Sequence, residues 1–124
     1  MTHARGRYES EVYILESILT SVKKLLGITE EQTAFDSDII MGINTSLNAL
    51  TQIGVGPENG FIISDSSAIW SNFIGEEKRL ELVKTYVYLK TRLVFDPPQS
   101  SSVMDAINKS LQEIEWRINS TVDF

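Results

Sequence analysis

The residues best able to perform chemistry are two aspartates, one histidine and two glutamates. Asp36 and Asp38 are spaced as in a calcium-binding loop, but apolar residues replace its third oxygen ligand and its turn glycine. Helix capping explains the pair better. His3 is the only histidine, so a histidine triad or metal cluster within one chain has no support. Glu113 and Glu115 project from different sides of a helix and do not converge as an acid–base pair.

Glycine spacing and cysteine content exclude several further classes of site. Gly54, Gly56 and Gly60 follow a predicted helix rather than a strand and do not match the dinucleotide fingerprint. There is also no Walker A sequence. Because the chain contains no cysteine, disulfide scaffolds, thiolate zinc sites and cysteine nucleophiles are excluded. A site shared between subunits, or built from carboxylates alone, stays open. From these residues we expect that the protein is not an enzyme and that it binds no cofactor or metal.

Length and charge indicate one acidic domain. The chain has 124 residues, a net charge of -6 and a pI near 4.7, and it is long enough for a single core. Proteins that grip DNA by its phosphates normally present a basic face, whereas the densest basic group here, at residues 78–92, is interleaved with glutamates. An acidic protein can still surround DNA without holding it. No apolar run suggests a membrane span or a secretory signal, which predicts a protein that stays in the cytoplasm of the cell that makes it.

Hydrophobic periodicity predicts a mainly α fold, a small bundle of about five helices in one domain over residues 1–124. The predicted helices cover residues 10–26, 36–53, a short turn before Gly75, 77–95 and about 101–118. The fourth helix is apolar around most of its girth and should be central. Residues 61–63 are β-prone, and either an arm of a short hairpin or a loop covering the core fits them. Residues 119–124 are predicted to form a carboxyl-terminal tail, with apolar anchors at Val122 and Phe124.

Aromatic residues supply the candidate interface. Trp116 lies between inward-facing positions of the last helix, where a large aromatic is either an interface anchor beside Arg117 or packs under the first helix or the loop after Gly54. Both interpretations stay open. Trp70 and Phe73, in the short middle segment, are also candidates, although aromatics in such a segment are more often core.

Several strings, in their order and spacing, resemble the head–tail connector (head-completion) family of siphophages and prophages. They are KKLLGI at 23–28, DIIMGIN at 38–44, LTQIGVG at 50–56, WSNFIG at 70–75, VKTYVYLK at 83–90, LVFDPP at 93–98 and EIEWRIN at 113–119. The resemblance covers the chain from about Leu19 onward. Residues 1–16 depart from the family pattern and are interpreted as an amino-terminal extension with the start of the first helix.

The resemblance implies a structural subunit in the neck of a tailed phage. About twelve copies would form a ring under the portal protein, extend the DNA channel and offer a platform to the next neck or tail-completion protein. DNA would pass through without specific binding. The carboxyl-terminal segment would help to dock the portal, giving Val122 and Phe124 a role. Cyclic symmetry would require one face of each subunit to fit a different face of its neighbour.

Two other classes of function remain as alternatives. A small-terminase-like packaging component is also small, helical and ring-forming, but the acidic pI and the lack of a basic recognition helix oppose it. A generic helical adaptor would bind a partner helix in an apolar groove and would ignore the portal.

Overall fold

The computed structural model describes residues 14–75 and 79–122, and within those ranges the protein is a bundle of five α-helices without a sheet. The helices are α1 (Ile18–Leu25), α2 (Asp36–Gln52), α3 (Trp70–Ile74), α4 (Leu80–Phe95) and α5 (Ser101–Val122). The mainly helical prediction is confirmed. Residues 1–13, which include most of the predicted extension, lie outside the described residues.

The chain enters α1 through a short extended contact rather than through a continuous helix. Ser17 pairs with Ile69 in an isolated bridge, and the flanking backbone bonds run from Ile18 N to the Ala68 carbonyl (3.0 Å) and from Trp70 N to the carbonyl before Ser17 (3.1 Å). Ser17 also caps α1 with its hydroxyl. The prediction of one helix from residue 10 is therefore wrong at residues 15–17, because pairing with the segment before α3 interrupts it.

A buried lysine joins the end of α1 to the start of α2. Lys23 is almost fully buried, and its Nζ lies 2.8 Å from Asp36 Oδ1 and donates to the Glu30 carbonyl at 3.1 Å. Gly27, at φ 82°, turns the chain after α1, in the left-handed conformation that glycine adopts most easily at a helix end. The N-cap of α2 is Phe35 rather than Asp36, because the Asp36 carboxylate is used in the ion pair with Lys23. This contact fixes the loop between α1 and α2.

Helix α4 is central, as its sequence predicts, because α1, α2 and α5 all pack on it. Two details of the predicted pattern are wrong. The helical spacing of the sequence places Thr91 on a narrow polar strip and Val94 on an apolar stripe. In the structure Thr91 is completely buried against α2, and Val94 is 67% exposed. Residues 76–78, at the predicted start of this helix, lie outside the described residues.

The loop between α2 and α3 is held by an asparagine side chain. Asn44 Nδ2 donates to the Ile63 carbonyl at 3.0 Å, and Ile63 N donates to Asn44 Oδ1 at 2.8 Å. The side-chain amide of Asn44 thus makes to Ile63 the two backbone hydrogen bonds that a neighbouring strand would otherwise make. Residues 61–63 form no strand in the described structure, so the hairpin interpretation is wrong, and the alternative, a loop that covers the core, describes them.

Helix α5 is longer than its apolar pattern predicts. Its inward positions Ile107, Leu111, Ile114 and Ile118 are buried as expected, but the helix continues past Ile118 to Val122. Most of the segment interpreted as a tail is therefore helical. Asn119 is exposed and Ser120 is only partly buried, so the pattern of buried apolar residues gave no signal for this continuation.

Helices α2 and α5 occupy opposite sides of α4. Thr91 points from α4 towards α2, whereas Tyr86 and Leu89 point towards α5. At 100° per residue, Tyr86 and Leu89 lie roughly 140° to 160° from Thr91 around the helix axis. The three long helices therefore form a layer in the order α2, α4, α5, with α1 packed across α2 and α4.

Candidate assembly surface

A partly buried hydroxyl–carboxylate contact joins α5 to α4. The Tyr86 hydroxyl donates to Glu115 Oε1 at 2.8 Å, and Lys90 Nζ lies 5.7 Å from the centre of the Tyr86 ring. Burial, and secondarily the hydrogen bond to Glu115, raises the pKa of Tyr86. The Tyr86 hydroxyl therefore keeps its proton and can donate this hydrogen bond. The bond fixes the rotation of α5 about its own axis, and this rotation determines the direction in which the outer face of α5 points.

Trp116 is the large apolar residue on that outer face. It is 71% exposed, whereas Ile114 and Ile118 on either side of it in sequence are buried. Of the two interpretations left open, packing beneath the first helix or the loop after Gly54 is wrong for the parts of these elements that the structure describes. An indole held in water on a rigid helix offers a large apolar area to a partner at little cost in side-chain entropy.

Arg117 lies beside a shallow groove between α4 and α5. Its guanidinium donates to Glu113 Oε1 at 2.8 Å across one helical turn, and both side chains are exposed. An exposed pair of this kind contributes only about 0.3–0.5 kcal/mol. The groove has a volume of about 290 Å³ and an apolar floor that includes Leu89 and Ile114. Arg117 thus forms part of a polar rim next to the exposed indole.

Trp70 and Phe73 belong to the core instead. Trp70 is fully buried, and its Nε1 donates to Ser21 Oγ at 2.9 Å, which in turn donates to the Ile18 carbonyl at 3.0 Å. The Phe73 ring lies 5.5 Å from that of Phe61. Neither residue offers surface to a partner in this structure, which corrects their inclusion among the interface candidates.

The remaining candidates are at the carboxyl end. Val122 is the last residue of α5, but its side chain and the whole of Phe124 lie outside what the structure describes. Their assignment to portal docking therefore stays a prediction.

The structure also shows exposed apolar residues that sequence periodicity did not single out. Besides Val94, the most exposed of them are Ile62 (73%) in the loop after α2 and Met41 (66%) on α2. Beyond Asp38, which lies one turn before it, Met41 is on a helix face without charge, since the sequence from residue 39 to residue 57 contains no Asp, Glu, Lys or Arg. The lack of charged residues in this run was the feature of the sequence that could have indicated a second contact surface.

The described residues contain no group of three metal-ligating side chains. At the calcium-like sequence, the ammonium of Lys23 lies against the Asp36 carboxylate, where a bound cation would be repelled. No helix within the described ranges has the length and hydropathy needed to cross a membrane.

Comparison with known families gives one assignment. The model of the family described as "Phage connector protein" matches residues 18–123, a range that begins at the start of α1 and spans all five helices. Neither the curated proteins nor the solved structures include a significant match. Because the family match covers most of the chain, and begins where the sequence resemblance begins, the chain belongs to the phage connector protein family.

Proposed function

We propose that this protein is a structural component of the virion that forms a ring beneath the portal, extends the DNA channel and joins the head to the tail. The observation that carries the proposal is the family match over residues 18–123, which includes every helix of the bundle. The ring would contain about twelve copies, assembled from subunits made in the host cytoplasm.

The surface of the bundle fits a subunit that meets other proteins. A ring requires two different contact faces on each copy. The described surface has an exposed indole at Trp116 on α5 and an exposed apolar residue, Met41, on α2. Large exposed aromatic and methionine side chains are enriched at protein interfaces.

The charge of the chain suits a conduit for DNA. The net charge is -6, and a surface of the same sign as the phosphate backbone does not retain the duplex by counterion release. DNA would pass through the ring without specific binding, while the other end of the ring receives the next neck or tail-completion protein.

Residues 119–124 are proposed to help dock the portal. Ile118 is the last residue of α5 known to be buried, so deletion of residues 119–124 should leave the core intact. If the truncated protein melts like the full chain but no longer binds the portal, the docking role is supported. Unchanged portal binding would contradict it.

Size-exclusion chromatography with light scattering, with and without the cognate portal protein, tests the function. A complex with about one subunit per portal chain, or a large ring of the protein alone, would support the connector role. A monomer that never joins the portal would contradict it. A salt-sensitive DNA gel shift in the same preparation would instead favour the packaging-component alternative.

A further inference from the structure

The outer face of α2 has the composition of an interface rather than of a solvated helix. One strip at helical spacing consists of exposed residues, here called the Met41 strip: Met41, Thr45, Asn48 and Gln52. A helix face that remains in water usually carries charged residues, and 23% of this chain is charged. From Met41 to Gln52 the strip carries none, and the exposed Asp38 lies on the same face one turn before Met41. Depletion of charge around an exposed apolar residue is the compositional mark of the centre of an interface.

The outer face of α5 has a similar arrangement. Its exposed strip, here called the Trp116 strip, consists of Asp105, Lys109, Gln112, Trp116 and Asn119. The charged members lie in the first half of the helix, and the residues one turn to either side of the indole along the strip are amides. Glu113, also one turn from the indole, is paired with Arg117, so the indole can be desolvated without burying an unpaired charge.

The two strips face in different directions on the same rigid layer. Helices α2 and α5 pack on opposite sides of α4, and each strip points away from the core. A head-to-tail contact needs two unlike surfaces placed in this way, because a surface that paired with itself would stop at a dimer.

We propose that the Trp116 strip of one copy packs on the Met41 strip of the next copy and that this contact is the repeating interface of the ring. The inference rests on the proposed connector function and deepens it. The lengths are compatible, since the 17 residues of α2 extend about 26 Å and the 22 residues of α5 extend about 33 Å. Trp116 would lie against Met41, with amides and hydroxyls from both strips around the pair.

The small area of this contact predicts that the portal must act as a template for assembly. A contact about 10 Å wide and about 26 Å long covers roughly 260 Å² on each copy, whereas a stable pair of proteins buries about 800 Å² per partner. One contact therefore does not hold two free copies together. Copies held side by side on the portal gain the contact at a high effective concentration.

The absence of cysteine from the chain makes a direct cross-linking test available. The double variant Asn48→Cys/Gln112→Cys places one thiol on each strip, and both positions are exposed. A short bis-maleimide linker, added with and without portal protein, tolerates a gap that a disulfide would not. On the portal we expect a ladder of covalent oligomers, whereas each single variant should stay monomeric. Ile62→Cys/Gln112→Cys, with an exposed partner on a loop, is the matched control and should give no ladder.

The outcomes separate this inference from the function on which it rests. A double variant that binds the portal but gives no ladder would overturn the pairing of the strips while leaving the connector role intact. Dimers from either single variant would show that a strip pairs with itself and would also overturn the inference. If no variant and no wild-type protein joins the portal, the connector role itself fails. Melting temperatures within a few degrees of wild type, expected for exposed positions, would show that each variant is folded.

Thr45→Cys/Gln112→Cys provides an independent second pair on the same two strips. It moves the α2 thiol by about one turn, so a ladder from either pair supports the contact. Absence of a ladder from both, in portal-bound protein, would remove it.

Discussion

Gly42 on α2 lies directly against Thr91 on α4, at the point where the two helices cross. A Cβ atom at Gly42 would stand 3.0 Å from Thr91 Cγ2 and 3.4 Å from Thr91 Cα. The missing side chain of the glycine is therefore what allows the central helix to approach α2 so closely. Thr91 is completely buried by this contact.

Gly42→Ala should destabilise the protein even though alanine favours helix. The helical gain is at most about 1 kcal/mol, whereas an added methyl group in a packed contact costs about 1–3 kcal/mol. Because Thr91 Cγ2 is the nearest obstacle, Gly42→Ala should cost less in a Thr91→Ser background, with a coupling free energy of about 1 kcal/mol. Urea unfolding of the four members of this cycle measures it. Additive effects would show that the two residues do not constrain each other.

Gly56→Ala should be more damaging than Gly60→Ala. Both glycines have positive φ, 82° and 92°, so each substitution incurs a backbone cost of about 1–2 kcal/mol. Only at Gly56 would the new Cβ overlap the ring of Phe73, since nothing lies within 4 Å of the corresponding position at Gly60. We expect the difference in unfolding free energy between the two variants to be about 1–3 kcal/mol. Equal losses would mean that the Phe73 ring yields freely.

Much of the fold could be predicted from the sequence because helical periodicity reports burial. The inward residues of α5 and the central position of α4 follow from it. It fails where tertiary contact overrides the pattern. Thr91 is buried because Gly42 leaves room for it, and Val94 is exposed because it lies in the last turn of α4.

The assembly surface could be predicted only in part. The outward position of Trp116 follows from its register between Ile114 and Ile118, but the exposure of the indole depends on whether another element covers it. Trp70 is also a tryptophan, but it is buried, and its indole N–H donates to the hydroxyl of Ser21, 49 positions away in the sequence. No local pattern carries that information.

Tyr86→Phe should change the response of stability to alkaline pH. Burial and the hydrogen bond to Glu115 raise the pKa of Tyr86 in the folded protein, whereas in the unfolded chain it ionises near the ordinary value of about 10. Unfolding thus releases a proton above that pH, so the stabilising contribution is complete below pH of about 10 and is lost as the pH rises further. Urea unfolding from pH 7 to 11.5 measures this dependence.

For Tyr86→Phe we expect a loss of about 1 kcal/mol at pH 7, from the missing hydrogen bond, and a shallower decline above pH of about 10. Tyr88→Phe is the control on the same helix and should keep the wild-type decline. If both variants follow the same curve, the Tyr86–Glu115 contact does not persist in solution.

The two tryptophans should be separable by fluorescence. Trp116 is 71% exposed and Trp70 is fully buried, so iodide should quench the emission of Trp116 alone. Trp116→Phe should remove the quenchable, red-shifted component and change the unfolding free energy by less than about 0.5 kcal/mol. Trp70→Phe is the counterpart and should cost about 2 kcal/mol or more, because it opens a cavity and leaves Ser21 without its donor.

In a portal complex, emission from Trp116 should shift to the blue and resist iodide, since an indole packed on the neighbouring Met41 strip is removed from water. A Trp116 that stays equally quenchable in the assembled complex would contradict its place at the repeating interface.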